Sequence, residues 1–533
     1  MVTSAYIFIF GAAVFFAVLD QWFNRIKFNT KVADVGLIGA MLAYFVLLFN
    51  NVDQAQSPII WIIIRDLGIL FLISLITGRT MFTKLKLVLM IISLLIGFKI
   101  YSSQVMQHTF TANTSTATKI TNTTHTTTTV NEIKKETENK AISLDKNGEL
   151  LFEMKTMAKL LPIETAIEAF GGSIEKAFPT IKYPNKTPLS NYYVLNIEDK
   201  YSNNLSVVMD ALYATKMVTW VEPNEMISLD EPMVGSMATN QRKTKNPEFQ
   251  NLWGFDQMKV EDLFAYIDKS KVKPSKKAKI AILDTGVDAE HEDLKANFVS
   301  TDAKYNKDVR GHGTHCAGIA GAVSNNNIGI ASLAPNSSFV EITSIKVLSD
   351  GGFGSQKAIL DGIIKAADIN ADVVSMSLGG PASGGRQKAY DDAVAYANKA
   401  GAIVVVAAGN SSRDANKYTP ANCTGVITVS AVDENLKIAE FSNFITNLDK
   451  GIAAPGVNVY STLPNNKYEF LNGTSMATPY VAGLIGMMKA INPKITTDEV
   501  YQILKATGVD TQNTPETGKF IQPHKALQYV INS

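Results

Sequence analysis

At 533 residues the chain is too long for a single hydrophobic core, and two to four structural units are expected. Its 50 basic and 49 acidic side chains balance and the mean hydropathy is +0.05, but both average unlike segments and decide nothing about nucleic-acid or acidic partners; no nucleic-acid partner is assigned. The two cysteines, Cys316 and Cys423, exclude a disulfide framework; because a helix should hold Cys316 inside, two free thiols are favoured over one bridge.

The first hundred residues hold four apolar runs, Ala5 to Leu19, Val35 to Phe49, Ile59 to Ile76 and Leu85 to Phe98. With their flanks each approaches the roughly 17 to 25 residues that cross a bilayer, and no basic leader marks the first as a signal peptide. The sequence thus predicts four transmembrane helices over residues 1–101, with the lipid bilayer as a partner. Arg25, Lys27 and Lys31 follow the first run, and Arg79, Lys84 and Lys86 the third, whereas the intervening loop carries only Asp53. The positive-inside rule then places both termini outside the cytoplasm, on the periplasmic or extracellular side. Arg65 and Asp66 interrupt the third run, as a helix-pairing feature or a polar site.

Residues 102–141 form a threonine-rich linker with little that could build a core. Over 142–230 the periodicity changes. Glu149 to Met154 alternates like a strand, Leu160 to Phe170 has helical spacing, a strand follows Gly172, and Tyr192 to Ile197 is strand-like. Leu205, Val208, Met209 and Leu212 share a helical face, and Val218 to Ile227 reads as a closing strand. The order βαββαβ predicts an α+β, ferredoxin-like unit. Residues 231–250 are polar, with the basic patch Arg242-Lys243-Thr244-Lys245, and read as a cleavable interdomain loop.

Residues 251–533 read as α/β, hydrophobic strands alternating with helices. The buried strand Lys279 to Leu283 delivers Asp284-Thr285-Gly286-Val287-Asp288 to its C-terminal end, where open parallel sheets place ligands. Gly311-His312-Gly313-Thr314-His315-Cys316-Ala317-Gly318 is a glycine-rich entry to a small-residue helix, and the strand from Ile403 delivers Gly409 and Asn410. Asn472-Gly473-Thr474-Ser475-Met476-Ala477-Thr478-Pro479 is a sharp turn presenting Ser475 at a helix start, with Pro479 placed in the first turn. A serine hydroxyl needs a base to become a nucleophile, the base needs a carboxylate to fix its tautomer, and the oxyanion needs N–H donors. Ser475, His312, Asp284 and Asn410 supply those parts in that order.

These four phrases resemble the signatures of the subtilisin (subtilase) family of serine peptidases, in the family's own order of Asp, His and Ser. Gly311 to Gly318 with Cys316, and Asn410 through Tyr418-Thr419-Pro420, are most similar to its proteinase K group. The resemblance implies a three-layer catalytic domain around a parallel sheet, with Ser475 as nucleophile, His312 as general base and acid, Asp284 as its orienter, Asn410 in the oxyanion hole and His315 structural. It implies that Gly352-Phe353-Gly354 and Ser377-Leu378-Gly379 flank an extended polypeptide substrate. Gly379, Gly380, Ala408, Gly409 and Tyr418 would line a first specificity pocket roomy enough for large apolar residues. Asp293 and the loop carrying Ser324, Asn326, Ile328 and Ile330 resemble a calcium-binding set, implying a structural Ca²⁺; no spacing for a catalytic metal appears.

Val218-Thr219-Trp220-Val221-Glu222-Pro223-Asn224 resembles the end of the family's inhibitory propeptides. The expectation is therefore a membrane-anchored, exported serine endopeptidase made as a zymogen, inhibited by its own propeptide. A selective processing protease for a membrane-proximal partner, or a catalytically silent peptide-binding sensor, stays open as an alternative.

Overall fold

The computed structural model describes residues 143–229, 233–235, 251–382 and 387–533, all within the compact unit Thr128–Ser533. Among them no helix is long and apolar enough to cross a membrane. The multi-pass, exported placement expected from the sequence is corrected on this finding. The four apolar runs, with Arg65, Asp66 and the threonine-rich linker, lie outside the described residues.

The first described portion runs β1 (Leu150–Met154), α1 (Leu161–Ile167), β2 (Ser173–Lys176), β3 (Tyr192–Asn196), α2 (Leu205–Ala214) and β4 (Val218–Pro223). The strands form one sheet in the order β2-β3-β1-β4, each pair antiparallel. Because strand side chains alternate between faces, the sheet buries two different sets. Leu150 and Phe152 pack with Ile163, Ile167, Val208 and Leu212 under the helices, while Leu151 and Tyr192 turn to the opposite face.

The strand expected to continue to Ile227 breaks at Asn224. There Asn224 Nδ2 donates to Gly148 O at 2.7 Å while its Oδ1 accepts the Lys357 N–H at 3.0 Å. The chain then leaves the small sheet as β5 (Met226–Ser228). Past it, within the stretch expected to be only a loop, Met233–Val234 forms a short strand, β6.

After a short helix over Trp253–Gln257, the larger portion continues with α3 (Val260–Ser270) and β7 (Ala278–Asp284), followed by α4 (His312–Gly321), β8 (Val340–Lys346), β9 (Phe353–Ser355) and α5 (Gln356–Asp368). Next come β10 (Val373–Met376), β11 (Gly380–Pro381), α6 (Gln387–Lys399), β12 (Ile403–Ala407), β13 (Tyr418–Thr419), β14 (Val426–Val432) and β15 (Gly451–Pro455). The chain ends with β16 (Val459–Leu463), β17 (Lys467–Asn472), α7 (Thr474–Ile491), α8 (Thr497–Thr507) and α9 (Pro523–Asn532).

Six of these strands form a parallel sheet in the order β15-β14-β12-β10-β7-β8. Both faces are covered, which is why the strands read as continuous apolar runs. Ile280, Ile282, Val405 and Val429 join the core that holds α4 and α7; Ala281, Leu283, Val404 and Val406 join the core that holds α5 and α6. The result is a three-layer α/β domain. The second core also takes in Leu151, Phe178, Tyr192, Ile227 and Leu229, so the small sheet packs directly on α5 and α6.

Candidate active site

Two close approaches fix the site's skeleton. A Cβ on Gly313 would stand 2.1 Å from Gly286 O, so α4 starts against the loop leaving β7. A Cβ on Gly483 would stand 2.9 Å from Ala320 O, so α7 lies against α4. Small residues at these points let the carboxylate, imidazole and hydroxyl converge at one end of the sheet.

His312 Nδ1 lies 2.8 Å from Asp284 Oδ1 and 2.9 Å from Oδ2, with both residues buried. Burial works against the imidazolium, but the charge of Asp284 and its hydrogen bond outweigh it, and the His312 pKa is raised. Thr285 N–H donates to Asp284 Oδ1 at 2.7 Å and holds the acid in place. His315, by contrast, is buried with Nε2 3.0 Å from Glu469 O, and burial pushes its pKa down to about 3, which suits a neutral packing residue.

Ser475 is the second residue of α7, where the backbone N–H has no intrahelical acceptor. Its hydroxyl donates to Ser377 O at 3.2 Å, and it shares one cavity with His312 and Asn410. Among the described residues no hydrogen bond joins Ser475 Oγ to His312. Asn410 Oδ1 accepts the Thr474 N–H and the Thr474 hydroxyl, each at 2.9 Å. Two donors on the oxygen leave the Asn410 NH₂ as the group presented to a ligand.

Pro479 does not fall in the first turn of α7, as the sequence suggested, but at its sixth residue. Lacking an N–H, it cannot bond the carbonyl of Ser475. That carbonyl instead accepts the Ser377 hydroxyl at 2.7 Å and the Cys316 thiol at 3.5 Å. Cys316 and Cys423 are both free and buried.

Of the residues expected to contact substrate, Ser377, Leu378, Gly379, Gly380, Ala408, Gly409 and Tyr418 line the cavity, and among the described residues that line it none is acidic. Gly352, Phe353 and Gly354 are not among its lining residues; there β9 pairs antiparallel with β5 in the register Ile227↔Gly354 and Ser228↔Phe353. Leu229 N–H donates to Gly352 O at 2.9 Å. Beyond the serine, β6 pairs with β17, Met233 opposite Asn472, and Asn472 Nδ2 donates to Met233 O at 3.2 Å. The chain's own segment therefore contacts the cleft on both sides of Ser475.

Sequence reasoning missed Asp308. Buried, it accepts from the Thr285 hydroxyl, the Gly311 N–H, and both the N–H and the hydroxyl of Thr314. It ties the β7 loop to the start of α4; the available signal was a carboxylate three residues ahead of a glycine, a spacing suited to a side-chain-to-backbone turn.

The expected calcium residues cluster around Asp293, which accepts from Asn326 Nδ2 at 2.7 Å and Ile330 N–H at 2.8 Å. Burial raises the Asp293 pKa to about 7, helped by the charge of Glu292 and only partly offset by the Asn326 and Ile330 hydrogen bonds. Ile328 N–H donates to Asn326 Oδ1 at 3.0 Å, and the Ser324 hydroxyl donates to Ser332 O at 3.2 Å.

Residues 275–522 match the model of the Subtilase family (Peptidase_S8). The chain is 42% identical over 248 residues to subtilisin DY of Bacillus licheniformis, covering 45% of this chain and 87% of that protein. It is 40% identical over 263 residues to thermitase of Thermoactinomyces vulgaris, covering 47% and 89%. To the thermophilic serine proteinase of Bacillus sp. (strain AK1) it is 33% identical over 346 residues, covering 64% and 77%. Likeness over most of each relative's length, together with a hydroxyl, an imidazole and a carboxylate gathered at one sheet edge, places the chain in the subtilase family as a serine endopeptidase.

Proposed function

We propose that the protein is an autoinhibited endopeptidase precursor whose catalytic groups are Ser475, His312, Asp284 and Asn410. The observation that carries this reading is a cleft lined by Ser475, His312 and Asn410, with Asp284 bonded to His312, along which residues 226–229 and 233–235 of the same chain pair. Ser475 Oγ gives its proton to His312 Nε2 as it attacks the scissile carbonyl, and Asp284 stabilises the imidazolium. The oxyanion takes the Asn410 NH₂ and the Ser475 N–H. His312 then protonates the leaving amine, and water, deprotonated by the same ring, releases the acyl group. The small, uncharged walls at Gly379, Ala408 and Gly409 favour large apolar residues ahead of the scissile bond.

The α+β portion acts as the inhibitor in this reading. Its Asn224 Oδ1 accepts the Lys357 N–H and its Glu225 O accepts the Gln356 N–H, so it satisfies open donors at the start of α5. Cleavage within residues 231–250 would free the cleft.

The reading extends to a structural Ca²⁺ at Asp293, a buried carboxyl whose oxygens accept from Asn326 Nδ2 and the Ile330 N–H, donors that a cation would have to displace in favour of the Asn326 amide oxygen and backbone carbonyls. Asp293, Asn326 and the carbonyls of Ser324, Ile328 and Ile330 would hold it, and it would tie the loop after α4 to the catalytic domain.

Labelling with a fluorophosphonate tests the enzymatic reading directly. Ser475 should be modified, Ser475→Ala should not, and Ser475→Ala should fold yet retain the α+β portion. A Ser475→Ala protein that still lost it unaided would overturn self-processing.

A further inference from the structure

Helix α5 is held by the α+β portion at both of its ends. At its start, Asn224 Oδ1 accepts the Lys357 N–H and Glu225 O accepts the Gln356 N–H, so acceptors meet the helix's positive pole. The other end lies about 20 Å away, at 1.5 Å per residue over thirteen residues, and a different part of the chain reaches it. The loop between β2 and β3, residues 177–191, brings Lys182 there: its N–H donates to Asp368 Oδ2 at 3.1 Å and its Nζ to Asp368 O at 3.4 Å.

Asp368 is the last residue of α5, where the helix's negative pole disfavours a carboxylate and the final carbonyls lack helix donors. Donors from outside the helix suit this end, and the Tyr396 hydroxyl of α6 supplies another, to Asp368 Oδ1. Lys399, the last residue of α6, donates from Nζ to Lys186 O at 3.5 Å. Apolar side chains anchor the loop on either side of its exposed tip, residues 182–186. Phe178 and Ile181 before the tip and Leu189 after it are buried in the core that holds α5 and α6. None of these residues is among those lining the cavity of Ser475, so the contact stands apart from the cleft.

We propose that the C-terminal ends of α5 and α6 form a docking surface separate from the cleft, whose partner is the loop 177–191, and that this surface sets how long the α+β portion stays once the chain is cut. The Asn224 grip sits just ahead of β5 and is continuous with the strand in the cleft, whereas β3, α2 and β4 separate the Lys182 grip from it. A cut within residues 231–250 frees the end of the first and leaves the second closed. While the second holds, the strand returns to the cleft from a high local concentration. The proposal rests on the reading above that the α+β portion is the inhibitor.

The test uses the full chain carrying Ser475→Ala, which cannot cut itself, with the recognition sequence of an added site-specific protease placed within residues 231–250. After the cut, gel filtration at intervals follows how long the α+β portion co-elutes with the catalytic domain. The parent should stay together. Asp368→Ala, which alters only the catalytic-domain side, should dissociate about tenfold faster, the scale of losing a hydrogen bond to a charged group. Lys182→Ala should have a smaller effect because its N–H remains, and Ile181→Asp a larger one because it places a carboxylate in the apolar core. Should Ile181→Asp fail to fold, Asp368→Ala and Lys182→Ala decide. Dissociation of the variants at the parent's rate, or departure of the parent's α+β portion as soon as the chain is cut, would overturn the proposal. Fluorophosphonate labelling of the chain with Ser475 intact reports the cleft separately. Rapid labelling while the α+β portion still co-elutes would reject the inhibitory reading and retain the docking surface; slow labelling with dissociation blind to Asp368 and Ile181 would do the reverse.

Discussion

Pro479 stands one helical turn after Ser475 and leaves its carbonyl without a helix donor, and the Ser377 hydroxyl fills the gap at 2.7 Å while the Ser475 hydroxyl donates back to Ser377 O at 3.2 Å. Ser475, the proposed nucleophile, is thus gripped through its backbone by the segment that also walls the cavity. A helix defect, ordinarily costing about 3 kcal/mol, becomes the attachment point.

Removing that grip should show in turnover more than in folding. Ser377→Ala deletes one buried hydrogen bond, an effect of about 1 kcal/mol on stability. It should lower kcat several-fold with KM nearly unchanged, because Ser475 loses its anchor while the pocket walls stay. Steady-state kinetics and urea melts on the same preparation check both halves.

The ion pair between Asp284 and His312 sets the pH dependence. The His312 pKa is raised in the folded protein, so protonation persists above the usual imidazole value of about 6.5, and only the neutral ring accepts the serine proton. Activity should therefore rise with pH along a limb whose midpoint lies above that value. Asp284→Asn should move the midpoint down and reduce kcat by about 10⁴. Asn410→Ala should reduce it by about 10² to 10³ without moving the limb. A kcat/KM profile for each variant separates the two roles.

Glu222 couples the α+β portion to pH. It accepts from Trp220 Nε1 at 2.7 Å and from Gln356 Nε2 across the contact with α5, and burial raises its pKa to about 7. Freed into water it would return toward the usual carboxylate range, so docking takes up a proton. The docked state is favoured fully below about 4.5 and loses that contribution as pH rises through about 7. Dissociation of the α+β portion after a cut in residues 231–250 should accelerate between pH 5 and 8, on the order of tenfold per unit at most. Glu222→Gln should flatten this dependence in a gel-filtration or fluorescence release assay.

Asp293 gives a prediction about the ion. Calcium at about a hundredfold excess over its Kd should stabilise the protein by about 2.7 kcal/mol, and a chelator should remove that gain. Asp293→Asn should melt at the same temperature with or without calcium. Calorimetry with and without chelator reads both, and an unchanged Tm for the native sequence would reject the site.

Much of the site was legible because each catalytic group travels with its own local support. Asp284 ends an apolar strand, His312 opens a small-residue helix, and Ser475 follows the Gly473 turn; short-range spacing alone marks such positions. Asp308 was not legible, because its carboxylate matters only through donors brought to it by two loops. The proline was legible as a residue but misplaced by a turn, since the helix start depends on the Gly473 backbone and not on residue type.

The sequence by itself determined the family, the order of the reactive groups and the layering of the larger domain, because apolar runs buried on both faces and glycine-rich turns are local properties. Only the tertiary structure decided which segments meet. Pairing of β5 with β9 and of β6 with β17 depends on unsatisfied edge donors and acceptors far apart in the chain, and a strand's pattern does not name its partner.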